Sequence, residues 1–426
     1  MYDNDALTLT TLKPGVLKLA RRRRMFMAWS VWFVAAAFTL FQFFLQLSSG
    51  VMIDALMKSF SLAAFGAGIL AGSYYYIYTA LQIPAGLLLD RYGPRIILSV
   101  GAFIVCIGCF LFSIANTMSL ALLGRILMGG GSAFAFVGCM NLISIWFPQR
   151  KFTLMASMVE TAGMFAALMG NFWLAYYVQK IGWRDCMLFS GLFAGVLSLS
   201  LFLIVRNTPR RKKGKVSTMS FYLLWSGLKS LLHNPLAWIN GIYSGLMFSV
   251  VTVFTALWGI PFLQESHHID LQKASLVAST LYVGFAIASP IIGLLDGKTN
   301  WRRRIMIGNP ACASLFLFII ILDTSLSLTA ISILLFLTGL CISSEVMAFA
   351  IANEMVASGN RATSIGFMNM LCVIFALILQ PFVGFLISEL KNVPDYFQIA
   401  MSVVPFLLIG AVVIAFFLPN RKNKSL

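Results

Sequence analysis

Apolar residues fill this chain in blocks of about twenty, and most polar residues are crowded into the gaps between them. A helix rising about 1.5 Å per residue needs such a block to cross a hydrocarbon core about 30 Å thick. Twelve blocks can be read, at residues 25–50, 65–89, 96–115, 119–145, 153–178, 184–205, 236–263, 272–295, 304–322, 327–352, 362–388 and 396–418. We call them spans 1 to 12. Within lipid each backbone N–H must be paired inside its own segment, so the blocks predict helices rather than open strands.

The gaps carry a sign pattern. If the N-terminus is cytoplasmic, 25 of the 31 Lys and Arg fall in inside segments. They are six in the N-terminal tail, Arg91 and Arg95, Arg150 and Lys151, seven from Arg206 to Lys229, four from Lys298 to Arg304, Arg361, and three after Pro419. Five bases fall outside: Lys58, Lys180, Arg184, Lys273 and Lys391. Arg125 alone stays in the membrane. One missed span would invert every later loop, so this asymmetry fixes an even count with both termini cytoplasmic. The longest gap divides the spans six and six. The expected plan is a tail (1–24), a first six-helix bundle (25–206), a basic linker (207–235), a second bundle (236–419) and a short tail (420–426). Within the linker, Phe221, Leu224, Trp225, Leu228 and Leu232 share one helical face, which suits a helix on the membrane surface.

Composition closes off other classes. The chain is 60% hydrophobic and 11% charged, with mean hydropathy +0.89. Soluble domains carry about 25% charged residues, so the solvent here is lipid. The net charge of +17 is spread over short clusters between apolar runs, which is not a nucleic-acid-binding face. The seven cysteines lie in or beside apolar runs and read as small packing residues. No phosphate-binding GxxxxGK[ST] appears, and no metal-ligand cluster or nucleophile–base pair suggests an enzyme.

The halves repeat. Pro84 to Asp90 (PAGLLLD) has the spacing of Pro290 to Asp296 (PIIGLLD), an offset of 206 residues. Both stretches end the second span of their half and enter a basic loop. The stretch Gly86–Arg95, GLLLDRYGPR, resembles the signature between helices 2 and 3 of the major facilitator superfamily. GRILMGGGSA in span 4, WFPQRK after it, GWRDCMLFSG, LWGIPFL and ANEMVASGNRATSIGFMN resemble further stretches of its bacterial members. The resemblance covers nearly the whole chain. It implies an all-α membrane protein, with twelve transmembrane helices in two pseudo-symmetric six-helix bundles that rock about a central site.

In that family Asp90 would meet the start of span 11, near Arg361, when the cytoplasmic side is closed. A carboxylate there can also accept hydrogen bonds from Arg91 or Arg95. Gly86, Asp90, Arg91, Gly93 and Arg95 are therefore expected to form a conformational latch. The second copy has Gly297 and Lys298 in place of Arg91 and Tyr92, so a matching latch is not expected there.

Polar groups inside the membrane are costly and mark function. Arg125, Glu160 and Glu345 are the embedded ionisable residues. Arg125 could fork onto a substrate carboxylate or hold span 4 to its neighbours. Glu345, mid-membrane in a cavity-lining span, is the first candidate for proton coupling. Glu160 is the second, although Ser157 and Thr161 offer it structural hydrogen bonds. Glu354 is expected to pair with Arg361 or water, and Asp54, His267 and His268 to be solvated. Gln42 and Gln46 share a helix face, as do Tyr74 and Tyr78; with Asn141 and Trp258 they are candidate solute ligands, and Tyr243, Thr252 and Thr255 rank lower. Family phosphate exchangers clamp their substrate with a base in each of helices 1 and 7, and neither span has one here. The proline late in helix 5 of the drug antiporters is also missing. The expectation is an inner-membrane proton symporter for a small polar solute. Amino acids or peptides come first, then carboxylates including carboxylate siderophores, then sugars; exporters and transporter-like sensors are the alternatives. It would be monomeric, embedded in the bilayer, and use the proton gradient without a bound cofactor.

Overall fold

The computed structural model describes residues 14–61, 64–208, 221–298 and 301–420. The basic stretch 209–220, the ends of both tails and the Asp54 side chain lie outside the described residues. The described chain is helical throughout, in two bundles of six spans. Among the described residues, ten helices are long and apolar enough to cross a membrane. The other two spans are covered differently. Span 2 is bent into Ala64–Ala80 and Gln82–Tyr92, and span 5 opens the helix Phe152–Ile204, which continues into span 6 across Gly182. Pro84 accounts for the bend in span 2. Pro84 has no N–H to give the carbonyl four residues back, so the ladder is interrupted near Leu81. Gly182, at φ 84°, supplies the left-handed turn between spans 5 and 6.

The remaining spans are Pro14–Phe60 (1), Pro94–Ser113 (3), Met118–Trp146 (4), Leu271–Lys298 (8), Arg302–Leu322 (9) and Arg361–Glu389 (11), with three composite ones. Span 7 runs Pro235–Ser249, widens to a π-helical stretch over Val250–Trp258, and resumes as Gly259–His267. Span 10 is Leu328–Ile342 and Val346–Glu354, joined by a 3-10 turn at Ser343–Glu345. Span 12 is Tyr396–Met401 and Val403–Ala415. Span starts are capped by local polar residues. Thr117, Asn234 and Ser327 accept from Leu120, Leu236 and Ala330 N–H groups.

Apolar side chains point both ways, as lipid permits. Phe103, Phe189, Val196 and Leu199 are exposed on the outer surface, while Phe38, Phe112 and Phe254 are fully buried. Small residues bring spans 3 and 4 together. A Cβ on Gly101 would lie 2.9 Å from the Gly131 carbonyl, and one on Gly124 2.9 Å from that of Gly108. The glycines of GRILMGGGSA thus act as packing surface. The linker helix Phe221–Leu232 buries Leu228 and Leu231, with Gly227 against Asn360, and leaves Tyr222 and Trp225 exposed. Leu231 replaces Leu232 on the buried side, because the helix docks on the protein as well as facing outward.

Candidate functional site

The side of the molecule carrying the basic loops is held shut by contacts between the bundles. Asp90, at the end of span 2, reaches the first turn of span 11. Its Oδ1 accepts from Ala362 N–H at 3.1 Å, and its Oδ2 from Thr363 N–H at 2.8 Å and Thr363 Oγ1 at 2.7 Å. Early N–H groups of a helix have no intrahelical partner and carry the positive end of its dipole, which is why a carboxylate fits there. Gly86, one turn back, permits the approach: a Cβ there would lie 2.6 Å from the Ala362 carbonyl and from Thr363 Cα. Gly366 answers from span 11, where a Cβ would run into the Gln82 carbonyl. Arg361 donates to the Ser144 carbonyl across the same seam at 3.4 Å.

Arg95 does not serve Asp90. Its Nε donates to the Phe202 carbonyl at 2.8 Å, its guanidinium lies over the Phe202 ring, and its N–H donates to Asn207 Oδ1. It therefore fastens span 3 to the end of span 6 inside one bundle. Arg91 lies over the Tyr92 ring. Gly93, at φ 81°, makes the turn between spans 2 and 3 against the Asn207 side chain.

Contrary to expectation, the second half has its own clasp. Asp296 is fully buried and accepts from Thr153 Oγ1, in the first turn of span 5, at 2.5 Å. Gly293 sits against Leu154 and Ser157 as Gly86 sits against Ala362 and Thr363. The missing arginine of the repeat is replaced from span 9. Arg302 donates to both Asp296 oxygens, at 2.5 and 2.8 Å, and to both Glu354 oxygens, at 2.7 and 3.1 Å. Glu354 therefore pairs with Arg302 rather than Arg361. Thr153, Thr363 and Arg302 were not among the residues singled out from the sequence. The available signal was a threonine in the first turn of the helix that follows a basic loop in each half.

The embedded candidates fall into two groups. In the first bundle, Arg125 is fully buried. Its Nη1 donates to the Leu45 carbonyl at 3.1 Å, and its guanidinium lies 4.9 Å from the Tyr74 ring centroid. This geometry ties span 4 to spans 1 and 2 and places a cation behind Tyr74 rather than a fork facing an open cavity. Gln42 Nε2 donates to Gln46 Oε1 at 2.8 Å, Tyr74 OH donates to the Gln42 carbonyl, and Tyr74 and Tyr78 stack at 6.0 Å. Asn369 of span 11 donates to Tyr78 OH and to Gln82 Oε1, carrying the polar layer across the seam. Asn141 is buried toward the basic-loop end of span 4, with Oδ1 unpartnered among the described residues. Trp258 donates from Nε1 to the Gln380 carbonyl, and Gln380 returns a bond to the Thr252 carbonyl. His267 is not simply solvated: its Nε2 lies 3.0 Å from the Ile320 carbonyl.

The second group is acidic and bridges the bundles. Glu345, in the 3-10 turn of span 10, accepts from Ser244 Oγ of span 7 and has the Cys372 thiol of span 11 at 3.9 Å. Glu160 of span 5 is buried too, at 5% exposed against 2% for Glu345. The expected bonds from Ser157 and Thr161 to Glu160 are not made. Ser157 Oγ donates to the Leu154 carbonyl and Thr161 Oγ1 to that of Ala286, while Glu160 Oε2 has no partner among the described residues.

Two bundles, closed together along one face and carrying a polar layer at mid-depth, define a transporter rather than an enzyme. The comparisons with known proteins agree. The chain matches the Major Facilitator Superfamily over residues 31–372 and 248–426, and it belongs to that family. It is a multi-pass membrane protein that transports small solutes. An uncharacterized transporter, YybO of Bacillus subtilis, is 25% identical over 93% of this chain and 95% of its own length. A probable L-galactonate transporter of Escherichia coli is 23% identical over 76% of each chain. The probable galactarate/D-glucarate transporter GudP of Escherichia coli is 25% identical over 58% of this chain and 60% of its own. The solved proton:xylose symporter XylE shares the fold, at TM-score 0.75 and 15% identity, over 95% of this chain and 98% of that one.

Proposed function

We propose that the chain carries a small hydroxylated carboxylate across the inner membrane by alternating access, in symport with protons, with its basic loops and termini in the cytoplasm. The observation behind the reading is the pair of clasps. Asp90 and Asp296 each tie the second span of one half to the first turn of the fifth span of the other half. Such contacts exist only while that face is closed, so their making and breaking separates two access states.

The solute class follows from the polar layer and the relatives. Gln42, Gln46, Tyr74, Tyr78 and Trp258 offer amide, phenol and indole groups suited to hydroxyls, and Arg125 supplies a positive field for one carboxylate. Relatives named for L-galactonate and galactarate/D-glucarate transport point to the same chemistry. Glu345 is the proton site, placed where spans 7, 10 and 11 meet. Purified protein in vesicles should take up L-galactonate, galactarate or D-glucarate in preference to xylose or amino acids. An imposed pH gradient should drive accumulation above equilibrium, and a protonophore should abolish it. Solute binding without flux would instead establish a sensor, and uptake indifferent to the pH gradient would remove the proton.

A further inference from the structure

The linker helix Phe221–Leu232 is seated on both bundles. Leu231 joins Ala237 of span 7 and Phe367 and Leu371 of span 11 in a small apolar cluster, and Ile83 of span 2 packs against it. Gly227 makes the seating close. A Cβ there would lie 2.1 Å from Asn360 Nδ2, in the 3-10 turn Ser358–Asn360 that leads into span 11. Glycine inside a helix is destabilising, and this contact is what requires it. Beside the contact lies a partly open cavity of 470 Å³. It is bounded by Ser226, Ser230 and Asn234 of the linker and by Met355, Gly359 and Asn360 before span 11. Small-ligand sites span about 300–1,000 Å³.

The lining selects the chemistry. Asn360 Oδ1 is buried with no partner among the described residues, so this wall offers an acceptor to a hydroxyl. Met355 adds the end of span 10, where the last helical carbonyls have no intrahelical partner. Ser226 and Ser230 carry hydroxyls, and Asn234 caps Leu236 with its Oδ1, which leaves Nδ2 as its donor. No acid lines the cavity. The neighbouring acids are engaged, Glu354 by Arg302 and Asp90 by span 11. From Arg206 to Asn234 the chain has seven bases and no acid, and Lys229, adjoining Ser230, is exposed. Tyr222 and Trp225 are exposed on the same helix, and both residue types favour headgroup depth.

We infer that the cavity binds a hydroxylated phosphate group, the glycerol phosphate head of phosphatidylglycerol from the surrounding leaflet. Its hydroxyls donate to Asn360 Oδ1 and accept from the two serines, while its phosphate stays at the rim near the linker's bases. The head so held joins the linker helix to the turn whose next residues, Ala362 and Thr363, hold Asp90. Binding therefore fixes the start of span 11 and favours the clasped state. The inference depends on neither the proposed solute nor symport.

The test is native mass spectrometry of the delipidated full-length protein. It is titrated with phosphatidylglycerol, phosphatidylserine, phosphatidylethanolamine and phosphatidylcholine of matched acyl chains. One phosphatidylglycerol should bind about tenfold more tightly than any of the others. Ser226→Leu with Ser230→Leu fills the cavity from two exposed positions that accept leucine in a helix, and Asn360→Asp sets a carboxylate against the phosphate. Each should erase the preference in protein whose Tm in detergent equals the parent's. A preference kept in both variants would overturn the site. Equal binding of phosphatidylserine, which has the same net charge without the glycerol hydroxyls, would overturn the ligand chemistry. Soluble glycerol phosphate that raises Tm in phosphatidylcholine nanodiscs, where phosphatidylglycerol does not, would overturn the lipid as its source. In nanodiscs phosphatidylglycerol should also shorten the mean distance between spin labels at Lys151 and Arg304, both exposed on the basic-loop face, in the parent and not in the double variant. Binding without that shortening would overturn the tie to the clasp. Failure of vesicle uptake leaves all of these readings unchanged.

Discussion

Asp90→Asn keeps the shape of the clasp and removes its charge. The carboxylate accepts two backbone N–H bonds and one hydroxyl bond at the start of span 11. An asparagine has one acceptor oxygen in place of two, and its amide would turn an N–H toward one of the helix donors. Hydrogen bonds to a charged group are worth about 1.5–3 kcal/mol against about 0.5–1.5 for neutral ones, and a helix-end charge about 0.3–1. The closed face should therefore lose about 2–3 kcal/mol, moving the equilibrium about 30- to 150-fold toward opening. Native Cys372 is a built-in reporter. It is 4% exposed in the closed structure, with its thiol 3.9 Å from Glu345. With the exposed Cys312 and half-buried Cys341 replaced by serine, alkylation of Cys372 reads the open population. Its rate should rise by the same factor in Asp90→Asn. A rate unchanged from the parent, in a folded variant, would reduce Asp90 to a topological charge and refute the clasp.

Gly366→Ala would drive a Cβ into the Gln82 carbonyl, so it should also speed Cys372 alkylation while thermal stability in detergent falls only modestly. Arg302→Gln leaves Asp296 and Glu354 without their shared cation; removing one partner of a buried pair costs about 3–5 kcal/mol, which calorimetry should register as a large drop in Tm that Arg302→Lys recovers only in part. Arg125→Gln should lose thermal protection by L-galactonate or galactarate, whereas Tyr176→Phe, on an exposed tyrosine, should keep it.

The repeat, the base asymmetry and the apolar run lengths made the architecture legible, because in lipid each constrains the backbone on its own. The partner of Asp90 was legible too, through the resemblance of GLLLDRYGPR to the family signature. What pattern could not give was side-chain direction across the seam. Arg95 lies only five residues after Asp90, yet the turn at Gly93 points it toward Phe202. The second clasp was invisible because Arg302, from the following helix, replaces an arginine that the motif lacks. Glu160 could be placed near Ser157 and Thr161 by spacing, but their hydroxyls were already committed to carbonyls, one of them on the other bundle. Arg125 stood out by charge alone; its burial against Leu45 and Tyr74 depends on the packing of three spans.

Alternating access requires the two faces to move in opposition, which two label pairs can follow together. One pair, Lys151 and Arg304, reports the clasped face. The other, Asn116 and Thr324, reports the exposed loops between spans 3 and 4 and between spans 9 and 10, on the far face. In the Asp90→Asn variant the first distance should lengthen as the second shortens, and both should shift together as solute is titrated into the parent. Distances that lengthen on both faces at once, or a far face that stays fixed while the clasped face opens, would contradict the rocking of two bundles about a central site.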